Sequence, residues 1–328
     1  MKKLLLNLKK RLYLYVAADF TLALAFGLYF QVQKMNIKPI SLFAVFLMLY
    51  PMLTGMVVEK VKTAGRNYKL IGLTLTFAFL VASGTAFVIS RTILAGYPDL
   101  ALGMVLVGAI PCSNMLIGWS GIADASVEDA LVIAVTGLLL IPFLSPILVR
   151  LSGGAFLPVD TKAIVFNLLA YILVPLVLGY FTRREIIRRK GRPYFMEVKQ
   201  FFPGISATGI LLIVFFSVAK VAPQVIRHPI VFLLVALGLF AYYVIQTTLS
   251  VLAAKFFKLD YPRGMILILG ATASSQAISL ALAATLFSSL TVFALSFKPI
   301  LQVLYIMFLI YALGPRIRTF LEVKKPKN

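Results

Sequence analysis

The chain of 328 residues is 61% hydrophobic and only 13% charged, with 32 Lys and Arg against 11 Asp and Glu and a net charge of +21 at pH 7; its mean hydropathy is +0.98. A soluble globule carries charge on about a quarter of its residues, so composition excludes that class and leaves an integral membrane protein, with the lipid bilayer as its first partner. The basic excess does not mark a nucleic-acid partner, because it falls between apolar segments as a topology signal does.

Cutting the sequence where charge, Pro or Gly clusters predicts about ten helices of about 18 to 26 residues, the length that crosses about 30 Å of hydrocarbon. In chain order they run over 13–31, 39–58, 69–94, 99–122, 127–151, 161–182, 203–221, 229–254, 263–289 and 291–313. Runs such as Leu138-Leu139-Leu140-Ile141 do not alternate as barrel strands do. Helices alone then satisfy the backbone in lipid, so the predicted fold is all-α and polytopic. The N-terminus, basic and then apolar, reads as a retained first helix and not as a cleaved signal peptide.

Basic clusters order these segments across the membrane. Lys2, Lys3, Lys9, Lys10 and Arg11 precede the first span, Lys60, Lys62 and Arg66 follow the second, and Arg183, Arg184, Arg188, Arg189, Lys190 and Arg192 follow the sixth. Lys255, Lys258 and Arg263 follow the eighth, and Arg316, Arg318, Lys324, Lys325 and Lys327 the tenth. The positive-inside rule makes all of these cytoplasmic, both termini included, in a multi-pass protein of the plasma membrane. The acidic loop with Asp124, Glu128 and Asp129 departs from the pattern.

Five spans per half is an odd number, so a duplicated chain has its halves inverted. The expected repeats are 13–151 and 161–313, in one membrane unit whose parts 1–182 and 183–328 meet at the basic stretch after Arg183. Echoes in matching order support this: Tyr50-Pro51 with Phe202-Pro203, Thr54-Gly55 with Thr208-Gly209, and Pro146-Ile147-Leu148 with Pro299-Ile300-Leu301.

The fullest echo pairs Gly108-Ala109-Ile110-Pro111-Cys112-Ser113-Asn114 with Gly270-Ala271-Thr272-Ala273-Ser274-Ser275-Gln276, about half the chain apart. Pro111 cannot donate a backbone hydrogen bond, so the fourth span breaks there. Small polar residues interrupt the ninth. If the broken helices cross at the midplane, their half-helix ends face one cavity. Cys112, Ser113, Asn114, Thr272, Ser275 and Gln276 are the candidate substrate or ion ligands. Gly, Ala and Ser also line ordinary close helix contacts, which is the plainer reading of both stretches.

Asp19, inside the first span, costs about 2.5 to 3.5 kcal/mol at a bilayer centre; it is a candidate proton or cation coupling site, or has a structural partner near the inner interface. Asn167, Gln246, Thr247, Thr248 and Lys298 are further intramembrane polar residues, and Lys298 reads as snorkelling to the outer interface. The sole cysteine, Cys112, excludes an internal disulfide or a multi-cysteine metal cluster. The sole histidine, His228, sits in an outer loop, away from any triad or metal set. With intramembrane carboxylates nearly absent and the one histidine peripheral, no enzyme is expected, and with no phosphate-cradling motif no ATP-driven pump; transport draws on a gradient, with sodium or a proton as coupling ion and no other cofactor.

These features resemble the bile acid/sodium symporter superfamily, which includes the arsenite permeases, over nearly the whole chain. The resemblance implies ten spans in two inverted halves, with the fourth and ninth broken and crossed. It also implies alternating access between a panel of the first, second, sixth and seventh spans and a core of the others. Tyr50-Pro51-Met52, and Cys112 with Met115 and Trp119, resemble the arsenite branch, although Pro111 stands where many members carry arginine and the ninth span has no glutamate. Ser113-Asn114 and Gln276 resemble sodium-binding residues of the organic-anion branch, whose glutamate falls near Thr272. The implied activity is secondary transport of a small anionic or oxyacid solute, arsenite-permease-like. Sodium-coupled organic-anion symport and a non-transporting membrane sensor are the alternatives.

Overall fold

The computed structural model describes residues 12–30, 32, 35–55, 67–111, 114–227 and 229–322. They form the helices α1 (Leu12–Tyr29), α2 (Lys38–Thr54), α3 (Tyr68–Thr92), α4 (Pro98–Ala109), α5 (Asn114–Ile122), α6 (Val127–Gly153), α7 (Thr161–Lys199), α8 (Phe202–Arg227) and α9 (Ile230–Phe256). After these come α10 (Tyr261–Thr272), α11 (Gln276–Leu286), α12 (Ser289–Ser296), α13 (Lys298–Phe308) and α14 (Gly314–Leu321). Six stretches are long and apolar enough to cross a membrane: α3, α6, α7, α8, α9 and the run Ser289–Leu321. The other four expected spans are the shorter helices α1 and α2 and the interrupted pairs α4/α5 and α10/α11.

Leu22, Phe43, Phe143, Phe166, Leu233 and Phe240, among many large apolar side chains, lie on the outside. A soluble monomer does not carry so much exposed apolar surface, so this is a multi-pass membrane protein with these side chains toward lipid.

Two groups of helices are recognisable from their packing. α8 lies along α1 and α2, and α7 lies on α2. Small residues allow the close approach: a Cβ at Gly209 would sit 2.6 Å from the Ala44 carbonyl oxygen, and one at Gly179 2.7 Å from Thr54 Oγ1. Tyr50 and Thr182 share a hydrogen bond of 2.6 Å between α2 and α7. The second group packs α3 on α4, α9 on α10 and α5 on α6. Contact between the groups runs mainly through α6 on α7, α11 on α2, α7 and α8, α12 on α8, and α13 on α1. Phe20 of α1 anchors the last of these, 5.0 Å from the Phe297 ring.

α7 continues to Lys199, past the expected end of the sixth span at 182, because its basic extension stays helical outside the apolar zone. It changes direction at Gly191, whose φ of 81° and ψ of 165° suit glycine alone. Phe195 in the returning part meets Phe202 edge to face, with Arg183 over its ring.

Candidate functional site

Both interruptions expected from the sequence are present, and they touch. α4 ends at Ala109 because Pro111 disfavours helical backbone at the residue before it, and Ile110 is extended with φ −121° and ψ 97°. The chain resumes helix at Asn114. α10 ends at Thr272, Ala273 is extended, and Ser275 caps α11 by accepting from the Ile278 amide at 3.4 Å. Pro111 and Ser274 form an antiparallel bridge, and the Ser275 amide donates to the Ile110 carbonyl at 3.2 Å. Each unwound stretch thus serves as the other's partner, the satisfaction that irregular backbone needs at membrane depth. Four half-helix ends converge on this crossing, two with partial positive and two with partial negative charge.

Side chains complete what the pairing leaves. Ser145 of α6 donates to the Ala109 carbonyl at 2.6 Å. On the other side, α13 presents Lys298, Gln302 and Tyr305, spaced i, i+4 and i+7 and so on one face. The Gln302 amide brackets Ser274, accepting from its N–H and donating to its carbonyl, both at 3.4 Å. The Lys298 ammonium donates to the Ser275 carbonyl at 2.9 Å and to Ser279 Oγ at 3.1 Å. Tyr305 donates to Thr247 at 3.0 Å, and Thr247 meets Thr272 at 3.4 Å, so the end of α10 is tied to α9 and α13. α3 runs past both breaks: its Thr74 methyl lies where a Cβ on Gly270 would be, and its Ala82 carbonyl where one on Gly108 would be.

Among the predicted residues, Thr272, Ser275 and Gln276 are buried at the crossing. Gln276 Nε2 and Ser274 Oγ are buried with no hydrogen-bond partner among the described residues. A bound solute offering oxygen atoms would satisfy them, as buried polar groups require. Asn114 opens α5 at the crossing, while Cys112, Ser113 and His228 lie outside the described residues. Asp19 sits on α1, half-buried, its Oδ2 without a hydrogen bond among the described residues, and none joins it to the crossing. Asn167 bonds within α7, to the Ala163 carbonyl and Tyr171, and Thr248 within α9. Gln246 donates to Thr85 of α3 at 3.1 Å.

The expectation that Lys298 snorkels to the interface is corrected. It is fully buried, with its ammonium on the broken segment. Gln302, Tyr305 and Ser145 were not anticipated. Their signal is there in the sequence: three polar residues on one face of an otherwise apolar span, and a serine before the Pro-Ile-Leu of the fifth.

Comparison with known proteins gives concordant results. Residues 42–228 match the sequence model described as the sodium bile acid symporter family. The arsenical-resistance protein Acr3 of Corynebacterium glutamicum is 23% identical over 92% of this chain and 90% of its own length. Acr3 of Alkaliphilus metalliredigens is 28% identical over 60% of this chain and 58% of its own. An uncharacterized sodium-dependent transporter of Bacillus subtilis, YocS, is 24% identical over 65% and 62%.

Proposed function

The chain belongs to the sodium bile acid symporter family and is a secondary membrane transporter; from that premise we propose that it moves a small anionic or oxyacid solute of the arsenite type, bound at the crossing. The observation that carries this reading is the bridge between Pro111 and Ser274, which sets two unwound helix breaks against each other within the membrane part. Gln276 and Ser274 supply polar groups there, with Cys112, Ser113 and Asn114 following Pro111 in the chain. Two relatives bear the name arsenical-resistance protein, which favours an oxyacid over a larger organic anion.

The fold in this reading is ten helices in two inverted five-helix repeats, 13–151 and 161–313, with cytoplasmic termini. Support comes from Ser145 and Lys298. Each immediately precedes a Pro-Ile-Leu triplet, and each donates to a carbonyl at a helix break. Alternating access is movement of the panel α1, α2, α7 and α8 against the remaining core. α11 and α12 lie against the panel, whereas α5 and α10 pack mainly on α3, α6, α9, α14 and each other, so access in this state is from the side of α5 and α10. An ion gradient, of sodium or protons, supplies the drive.

Flux into reconstituted vesicles tests the site. Asn114→Ala and Gln276→Ala each lower flux at equal protein, and wild-type flux in both removes the crossing as the site. Cells expressing the chain gain arsenite resistance and lose it in Cys112→Ser; no resistance in the parent turns the assignment to organic anions. Solute-dependent thermal stabilisation without flux marks a sensor.

A further inference from the structure

The family's name implies a sodium ion, and the crossing permits a test of that implication. Sodium is a hard cation that takes carbonyl, hydroxyl and carboxylate oxygens, and taking it out of water calls for a compensating negative charge. The sequence has no Asp or Glu between Asp99 and Asp124, nor between Asp260 and Glu322. α5, α10, α11 and, as far as Leu321, α12 to α14 therefore offer no carboxylate, and α4 carries only Asp99, in its first turn away from the break. Thr272 brings a hydroxyl, already engaged with Thr247. Two further oxygens of the kind sodium takes, the Ser275 carbonyl and Ser279 Oγ, both accept from Lys298 Nζ. A cation entering beside them meets a fixed ammonium in surroundings that screen repulsion poorly. Ser274 Oγ is left unengaged, but one hydroxyl with no carboxylate near it does not offset the removal of a cation from water, so the described residues do not fit sodium.

Scaffolding alone does not account for a lysine. Ser145, at the matching place before Pro146, serves the Ala109 carbonyl with a neutral hydroxyl. A neutral donor thus meets the structural need in the first half, while the second half places an ionisable amine at full burial, where a charge is expensive. The ammonium is a compact point charge on a tethered stem.

We infer that Lys298 supplies from within the protein the positive charge that a sodium ion would bring to this crossing, so that the chain transports without sodium. The inference rests on the transport site proposed above. It also assigns that site a solute whose charge or oxygen dipoles are drawn to a cation, and it leaves protons as the coupling gradient.

The test uses the purified full chain. Thermal unfolding and equilibrium dialysis of radioactive sodium are measured in NaCl against choline chloride at constant ionic strength, with arsenite flux into vesicles measured in the same two salts. The expected result is no sodium-specific stabilisation, no saturable sodium binding, and flux equal in the two salts within about twofold. Sodium-specific stabilisation or binding, or flux at least about tenfold lower in choline, overturns the inference. Lys298→Gln is expected to lose flux by about tenfold or more in both salts; unchanged flux overturns the role of the charge. Should this variant fail to fold, the sodium measurements on the unaltered chain still decide. Those binding arms need no flux, so a chain that moves no solute counts against the transport reading while the sodium result separately judges Lys298.

Discussion

Replacing Gln302 by leucine probes how the unwound stretch at Ala273 to Ser275 is held. The Gln302 amide makes two hydrogen bonds to Ser274, both 3.4 Å long. At that length their net worth lies at the low end, about 0.5 kcal/mol each, but the variant leaves an amide and a carbonyl buried at about 1 to 3 kcal/mol apiece. The Pro111 bridge limits the damage on the opposite edge, which brings the expected loss to about 2 to 4 kcal/mol, or about 3 to 6 °C of thermal midpoint for a chain of this length. Leucine fills much the same volume, so little of the loss comes from a cavity. The single tryptophan, Trp119, lies on α5 a little over one turn from the crossing, so its fluorescence during heating reports unfolding near the site. Flux per folded molecule is measured in parallel and falls by about tenfold if the break shifts by as little as 1.4 kcal/mol. A midpoint within about 1 °C of wild type and unchanged flux would refute the view that α13 holds the break in shape.

Two further outcomes follow from packing and charge. Gly209→Val puts a Cβ 2.6 Å from the Ala44 carbonyl oxygen and so forces α2 and α8 apart, lowering stability by about 1 to 3 kcal/mol or more in thermal unfolding; a wild-type midpoint contradicts the close packing. At Glu185, hydrogen bonds from Arg189 and Arg188 on the next turn hold the carboxyl below the usual carboxylate range. What it contributes is therefore complete above the ordinary carboxylate value of about 4.3 and fades as pH falls through the lowered one. Open to solvent, the pair is weak, and Glu185→Gln shifts the midpoint at pH 7 by no more than about 1 °C, with the two proteins converging in acid.

The two helix breaks were legible in the sequence because their causes are local: a proline in one apolar run and a cluster of small polar residues in the other. The apolar spans were legible for a similar reason, since length and composition set them. The role of α13 was not. Lys298 lies near the start of an apolar stretch, and position along a sequence says nothing about depth when a neighbouring segment folds over it. A polar face at i, i+4 and i+7 needs a buried partner in a membrane, yet the sequence alone does not say that this partner is the bare backbone of Ser274 and Ser275. The length of α7 was also hidden, because the positive charges that end a hydrophobic span do not end a helix.

The seat of α11 has a mechanical consequence. This helix, Gln-Ala-Ile-Ser-Leu-Ala-Leu-Ala-Ala-Thr-Leu, rests on α2, α7 and α8 with a surface made largely of alanine and leucine. Such contact has no preferred direction, so a sideways slip trades one set of greasy neighbours for another at little loss. Gly270 and Gly108, by contrast, are keyed against α3 with no room for even a methyl group. In the proposed alternating access, the flank of α11 is therefore the lubricated bearing, and α3 at Gly108 and Gly270 the locked pivot.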